Sequence, residues 1–277
     1  MQKIHLPKID AKYWAALIIA SIFGANMGDC FAGPLGLGNY SGIPIIAIVL
    51  IVLFAVEKLD RWKHPAYFWA TVVLVRTMAT NIGDISSDNL HLARPLTILA
   101  ILVLMGITVF FWAKYNRKHQ IDTANSLSSL PVYWWALLLA GVLGTVIGDF
   151  CSYNLPNLLA GKGLETHWIP GVGDEDGPVG FNLNNLWAAL ICGVPVAFLL
   201  YFGSKHGKVT HLAYYWTTVV LIRSAGTAAG DFFSHSPIGL PTSLVVSGVL
   251  FVAAIIFFPG SRQTPEPDNI TEELLSH

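Results

Sequence analysis

A few polar side chains recur at fixed spacings in an otherwise apolar chain. Arg76, Thr80, Asp84 and Ser87 or Asp88 fall at i, i+4, i+8 and i+11 or i+12, and Arg223, Thr227, Asp231 and Ser234 or His235 repeat that spacing. On an α-helix each set is one polar stripe, with the Arg about 12 Å below the Asp at about 1.5 Å rise per residue. Thr145, Asp149 and Ser152 continue the pattern further on, Asn26 with Asp29 is its counterpart near the start, and Asn81 belongs with the Arg76 stripe. Carboxylate and amide oxygens suit hard cations or, as a protonatable pair, proton coupling. His91 and His235 lie just beyond two of the Asp residues. A transition metal would therefore draw on Asp84, Asp88, Asp231, His235 and His91, whereas a lone His is more often a hydrogen-bonded surface residue.

The stripes are carried by a repeat. His64 to Asp84 and His211 to Asp231 are identical at 12 of 21 positions, and looser copies run from Tyr13-Trp14 to Gly28-Asp29 and from Tyr133-Trp134 to Gly148-Asp149. In all four copies the aromatic before the Trp lies 16 residues ahead of the Asp; where two copies have Arg76 and Arg223, the others have Ser21 and Gly141. Internal repetition of this kind decides architecture before anything else.

With 54% hydrophobic and 12% charged residues, the chain is far from a soluble domain, which carries about 25% charged residues. Eight apolar runs, 13–31, 41–57, 66–85, 94–113, 133–150, 184–202, 213–232 and 239–258, are long enough to cross a bilayer core of roughly 30 Å as helices. The expected fold is an all-α integral membrane protein: eight transmembrane helices arranged as four parallel helical hairpins in two pseudo-symmetric halves. Residues 1–113 form the first half, 114–131 a polar cytoplasmic linker, 132–258 the second half with a long outer loop over 151–183, and 259–277 a disordered tail. The side holding both termini receives twelve Lys and Arg against two, Arg94 and Lys162, on the other, which places both termini in the cytoplasm. The expected partners are the lipid bilayer and a small ion or solute, a homo-oligomer stays open, and no basic patch exists to bind nucleic acid.

An Arg near mid-span costs at least ~2.5 kcal/mol to insert and must face the bundle interior. Arg76 and Arg223 are therefore expected to line a polar cavity, with Asp29, Asp84, Asp149 and Asp231 as a carboxylate cluster at its outer mouth. Otherwise these charges only pair across neighbouring helices and lock the bundle. Small residues such as Gly24, Ala25, Gly141 and Gly144 mark the first and fifth spans as an inner contact surface. Trp14, Trp69, Trp134 and Trp216 read as an interfacial belt. A disulfide between Cys30 and Cys151 is geometrically conceivable, though packing is the plainer role of both.

The function that fits is a carrier or channel-like protein for a small ion, a divalent metal cation ahead of an anion; an anion would make the two Arg its ligands. A second class is a membrane oxidoreductase or cofactor-binding protein using haem or quinone, with His64, His211, His91 or His235 as axial ligands. A third is a structural or signalling scaffold. No phosphate loop, Ser-x-x-Lys, zinc-protease or dinucleotide fingerprint is present, which points away from an enzyme.

At the repeat ends the chain resembles a bacterial family of multi-spanning proteins, often labelled membrane-anchored proteins, built from a two-helix repeat of unknown function. Its members look like tandem units with a Tyr/Phe-Trp start and a Gly-x-x-x-Gly-Asp-like end. Gly144 to Asp149 (GTVIGD) and Gly226 to Asp231 (GTAAGD) match best, Gly24 to Asp29 (GANMGD) departs at the Thr, and Ala79 to Asp84 (ATNIGD) departs at the first Gly. The resemblance covers nearly the whole chain except the tail. It implies the repeat architecture and a bacterial inner-membrane location, and no activity.

Overall fold

The computed structural model describes residues 7–59, 65–118, 131–159, 183–206 and 211–257. Among them there is no β-strand; eight long helices dominate: α1 Ala11–Ala32, α2 Gly38–Leu59, α3 Ala66–Asp84, α4 Arg94–Lys118, α5 Pro131–Asp149, α6 Leu183–His206, α7 Leu212–Ser234 and α8 Gly239–Phe257. Six are long and apolar enough to cross a membrane; α3 and α7, which carry Arg76 and Arg223, are not. Two expected boundaries move. Helix α4 runs on to Lys118, because its polar last turn of Lys, Asn and Arg is as good a helix former as what precedes it. After α5 the chain stays helical through a π-turn, Phe150–Asn154, and a short helix, Leu155–Leu159. A second π-turn, Ile85–Asn89, follows α3. The remainder of the linker, residues 160–182 of the outer loop, the tail and His64 lie outside the described residues.

The first helix of each repeat is buried and the second is not. Helices α1, α3, α5 and α7 form a closed ring in that order, α7 packing back on α1. Each outer helix packs on the inner helix of the next repeat: α2 on α3, α4 on α5, α6 on α7 and α8 on α1. The outer helices expose Ile48, Val52, Leu99, Phe110, Val194, Phe198, Val245 and Val249. An apolar surface of that extent is stable only against lipid or protein.

Equivalent positions meet at both ends of the ring, so the four inner helices run parallel. At one end Tyr13, Phe68, Tyr133 and Tyr215 form a square with neighbouring ring centroids 6.3–6.4 Å apart. Each Trp packs on the aromatic of the preceding repeat: Trp69 on Tyr13 at 5.5 Å, Trp134 on Phe68 at 5.6 Å, Trp216 on Tyr133 at 5.6 Å and Trp14 on Tyr215 at 5.5 Å. This corrects the belt expected of the four Trp. Trp14, Trp69 and Trp216 are buried and Trp134 half-buried, because the preceding repeat covers the face that an isolated hairpin would leave to the interface.

The three phenols close the square: Tyr215 Oη lies 2.8 Å from Tyr133 Oη and 2.5 Å from Tyr13 Oη, and Tyr13 Oη is 3.3 Å from Tyr133 Oη. Tyr215→Phe removes the two shorter of these bonds and should cost about 1–3 kcal/mol. Thermal unfolding in detergent checks it against Tyr40→Phe, at an exposed site. Equal melting temperatures for the two variants would refute a cooperative phenol cluster.

Towards the other end the ring is held by close helix approach. A Cβ at Gly24 would stand 2.6 Å from Arg76 Cγ, and one at Gly28 2.8 Å from Thr80 Cβ. The same seats recur round the ring: Gly144 against Arg223, Gly226 against Ser21, Gly83 against Thr145, Gly148 against Thr227 and Gly230 against Asn26. The Gly-x-x-x-Gly spacing of this chain thus seats two residues of the next inner helix. In the second repeat the first Gly is Ala79, and its neighbour is Gly141, so the missing space is supplied from the other side.

Candidate functional site

The ring axis presents the sequence stripes in layers. Eight residues beyond the aromatic square stand Ser21, Arg76, Gly141 and Arg223, four further on Ala25, Thr80, Thr145 and Thr227, and last Asp29, Asp84, Asp149 and Asp231. Arg76 and Arg223 are completely buried, as are Asn26 and Asn81. Asp149 and Asp231 are buried, Asp29 and Asp84 half-buried. All four Asp stand towards the C-terminal ends of the parallel inner helices, with the chain staying helical beyond Asp84 and Asp149 through the two π-turns.

The two Arg differ. Arg76 Nη1 donates to Thr145 Oγ1 at 2.7 Å and to the Gly141 carbonyl at 3.3 Å, Nη2 donates to Thr227 Oγ1 at 2.6 Å, and Nε donates to the Ser21 carbonyl at 3.4 Å. One guanidinium thus ties α3 to the other three inner helices. Thr145 and Thr227 also donate to carbonyls of their own helices, at Gly141 and Arg223, leaving their lone pairs for Arg76. On Arg223, Nε, Nη1 and Nη2 are all buried with no hydrogen-bond partner.

Among the expected pathway residues, the structure brings Arg76, Thr227 and Thr145 into direct contact and places Thr80 and Arg223 in the same layers. Asn26 serves elsewhere: its Nδ2 donates to Ser243 Oγ at 2.7 Å, fastening α8 to α1. Asn81 turns its amide against Gly42 of α2, and neither its Oδ1 nor its Nδ2 is satisfied. Among the described residues no three His, Cys, Asp or Glu side chains are grouped to hold a metal ion. The reason is topological: Asp84 and His91 follow α3 whereas Asp231 and His235 follow α7, at opposite corners of the ring. The side chain of Asp88 lies outside the described residues. The His235 ring Nδ1 is 3.0 Å from the Asp231 carbonyl and 3.1 Å from Ser234 Oγ, which makes it a cap of α7. His91 is exposed, with a φ of 51°. His211 stands exposed at the start of α7, away from any position that would ligate haem inside the ring. All three cysteines are free, and the thiol beside Cys151 is Cys192 rather than Cys30.

Sequence reasoning missed the phenol cluster, although the signal was present: the aromatic lies eight residues before the Arg position, on the same stripe. It also counted Arg94 as a loop cation. Arg94 is buried at the start of α4, donates to Asn154 Oδ1 at 3.1 Å and lies 5.7 Å over the Tyr153 ring. Ser243 and Ser247, which receive Asn26, gave no sequence signal.

The model of a family described as a Repeat of Unknown Function (DUF347) matches residues 12–60, 67–118 and 214–263, more than half of the chain. The third repeat, with Tyr133-Trp134 and Asp149, lies outside these three matches. Neither the curated proteins nor the solved structures compared with the chain contain a match.

Proposed function

The chain belongs to the family built from the DUF347 repeat, and on that premise we propose that it is a multi-pass membrane carrier or channel-like protein for a small ion, with the ring axis as its path. The observation that carries this is the axis itself. Two arginines, three threonines and four aspartates are stacked inside a ring of four helices whose outside is apolar. Charges in the middle of a membrane protein are expensive, and they face a bundle interior where they meet a partner or a permeating species.

On this proposal all eight helices cross the bilayer as four hairpins. Helices α3 and α7 are stable there because their polar residues face the ring and not lipid. The aromatic end faces the cytoplasm, where twelve of the fourteen assigned Lys and Arg lie, and the membrane is the bacterial inner membrane. The four Asp at the outer end attract cations, and the Arg layer sets a barrier of opposite sign below them. A divalent metal is not preferred over other ions, since the carboxylates are not gathered as metal ligands.

Ion flux into proteoliposomes, screened over sodium, magnesium, manganese, zinc, chloride and nitrate, tests the proposal. Flux of at least one ion is expected, and Asp84→Asn combined with Asp231→Asn should lower cation flux roughly tenfold while the protein stays folded. No flux for any ion, with correctly inserted protein, refutes it.

A further inference from the structure

Arg223 occupies the position in repeat four that Arg76 occupies in repeat two, yet only Arg76 is satisfied. A guanidinium carries five N–H donors in a rigid fork and cannot lose its charge in a protein. Every nitrogen of the Arg223 fork is buried without a partner, a condition that native interiors avoid. Among the described residues no carboxylate is one of the groups that act on it. Asp231 is eight residues along the same helix, about 12 Å away, and all four carboxylates act on Arg76, whose donors point to the threonine layer on their side. The groups that act on Arg223 are Arg76, which repels it, and the phenols of Tyr13, Tyr133 and Tyr215.

At the level of Arg223, Gly141 is backed by the Ala79 methyl group and its carbonyl accepts from Arg76, while Ser21 carries a buried Oγ that has no partner either. Ser21 packs against Gly226, three residues beyond Arg223 on the face that α7 turns to α1. Arg223 is itself anchored, with its Cβ seated against Gly144 of α5. A fixed fork of donors and a free hydroxyl on adjoining helices form a set of donors lacking only an acceptor.

We propose that Arg223 and Ser21 form a binding site for a small monovalent anion such as a halide, held by the guanidinium N–H groups and the Ser21 hydroxyl. The anion is the counter-ion that the chain itself does not supply. The Asp end does not forbid it, because the four carboxylates stand about 12 Å further along the axis and act on Arg76. As a statement about binding it needs only the ring; as a statement about cargo it rests on the carrier proposal above and makes the carried ion an anion.

The test uses the full-length protein in detergent, exchanged into a buffer whose only anion is a bulky organic sulfonate, then titrated with chloride, bromide or nitrate. Binding to the folded state raises the melting temperature with anion concentration. The rise is expected in the wild type, to be at least roughly tenfold weaker in apparent affinity in Arg223→Gln, to be weakened in Ser21→Ala, and to persist in Asp149→Asn. Should Arg223→Gln fail to fold, chloride NMR line broadening on the wild type against Ser21→Ala reads the same site. An equal rise in Arg223→Gln, or none in the wild type, overturns the proposal. So does phenolate absorbance in the wild type that is lost in Arg223→Gln, which would make a tyrosine the counter-ion. Anion binding without flux of any ion upholds the site and refutes the carrier; cation flux with no anion effect does the reverse.

Discussion

Arg76→Leu is expected to lower stability by about 3–5 kcal/mol, while Arg223→Leu, measured without small anions, should leave it unchanged or raise it. Arg76 links α3 to α1, α5 and α7 through donated bonds to Ser21, Gly141, Thr145 and Thr227, and hydrogen bonds to a charged group are worth about 1.5–3 kcal/mol each when lost. Its removal also takes away a buried positive charge on which all four Asp act, and breaking a buried charge arrangement on one side costs about 3–5 kcal/mol. Arg223 makes no such bonds, and replacing an unsatisfied buried charge by an apolar side chain is often neutral or stabilising. In melting temperature the difference should be on the order of 10 °C, read by circular dichroism of purified protein. Equal losses for the two variants would mean that Arg223 has a partner of comparable strength. Chloride should narrow the gap by stabilising Arg223 in the wild type.

Gly144→Ala should be the most damaging single methyl group in the ring. A Cβ there would meet not only the Arg223 side chain but its backbone carbonyl carbon at 2.9 Å and the Ser224 nitrogen at 3.0 Å. A side chain can rotate away; backbone cannot, so α5 and α7 must separate and the ring opens. Overpacking of this kind costs about 1–3 kcal/mol for one methyl group, and Gly144→Leu should prevent recovery of a monodisperse protein. Gly106→Ala, on the exposed face of α4 with open space around it, is the control. It should be neutral or stabilise by about 0.5–1 kcal/mol through helix propensity. Yield on size exclusion and melting temperature check both, and a larger loss at Gly106 than at Gly144 would contradict the seam.

Much of the inner ring was legible from residue spacing. The aromatic and the Asp, 16 residues apart in all four copies, put the aromatic, the Arg position and the Asp at matching heights in each inner helix, because the rise per residue is fixed. Cross-helix partners were not legible. Arg76 and Arg223 have near-identical sequence surroundings, but the helices they face differ, Thr145 and Thr227 standing within reach of one and not the other. Ala79 reads as a departure from the glycine pattern until Gly141 is seen opposite it. The four Asp read as one cluster because the repeat aligns them, yet alignment in height does not bring carboxylates from four corners together.

By itself the sequence determined the helices, their apolar and polar faces and the fourfold plan, since each of these depends on periodicity within one segment and on the cost of burying polar groups in an apolar surround. Only the tertiary structure decided which arginine is satisfied, which tryptophans are covered and which asparagine fastens a helix. Those outcomes depend on register and distance between helices far apart in the chain, and a difference of a few ångströms there separates a hydrogen bond from an unpaired donor.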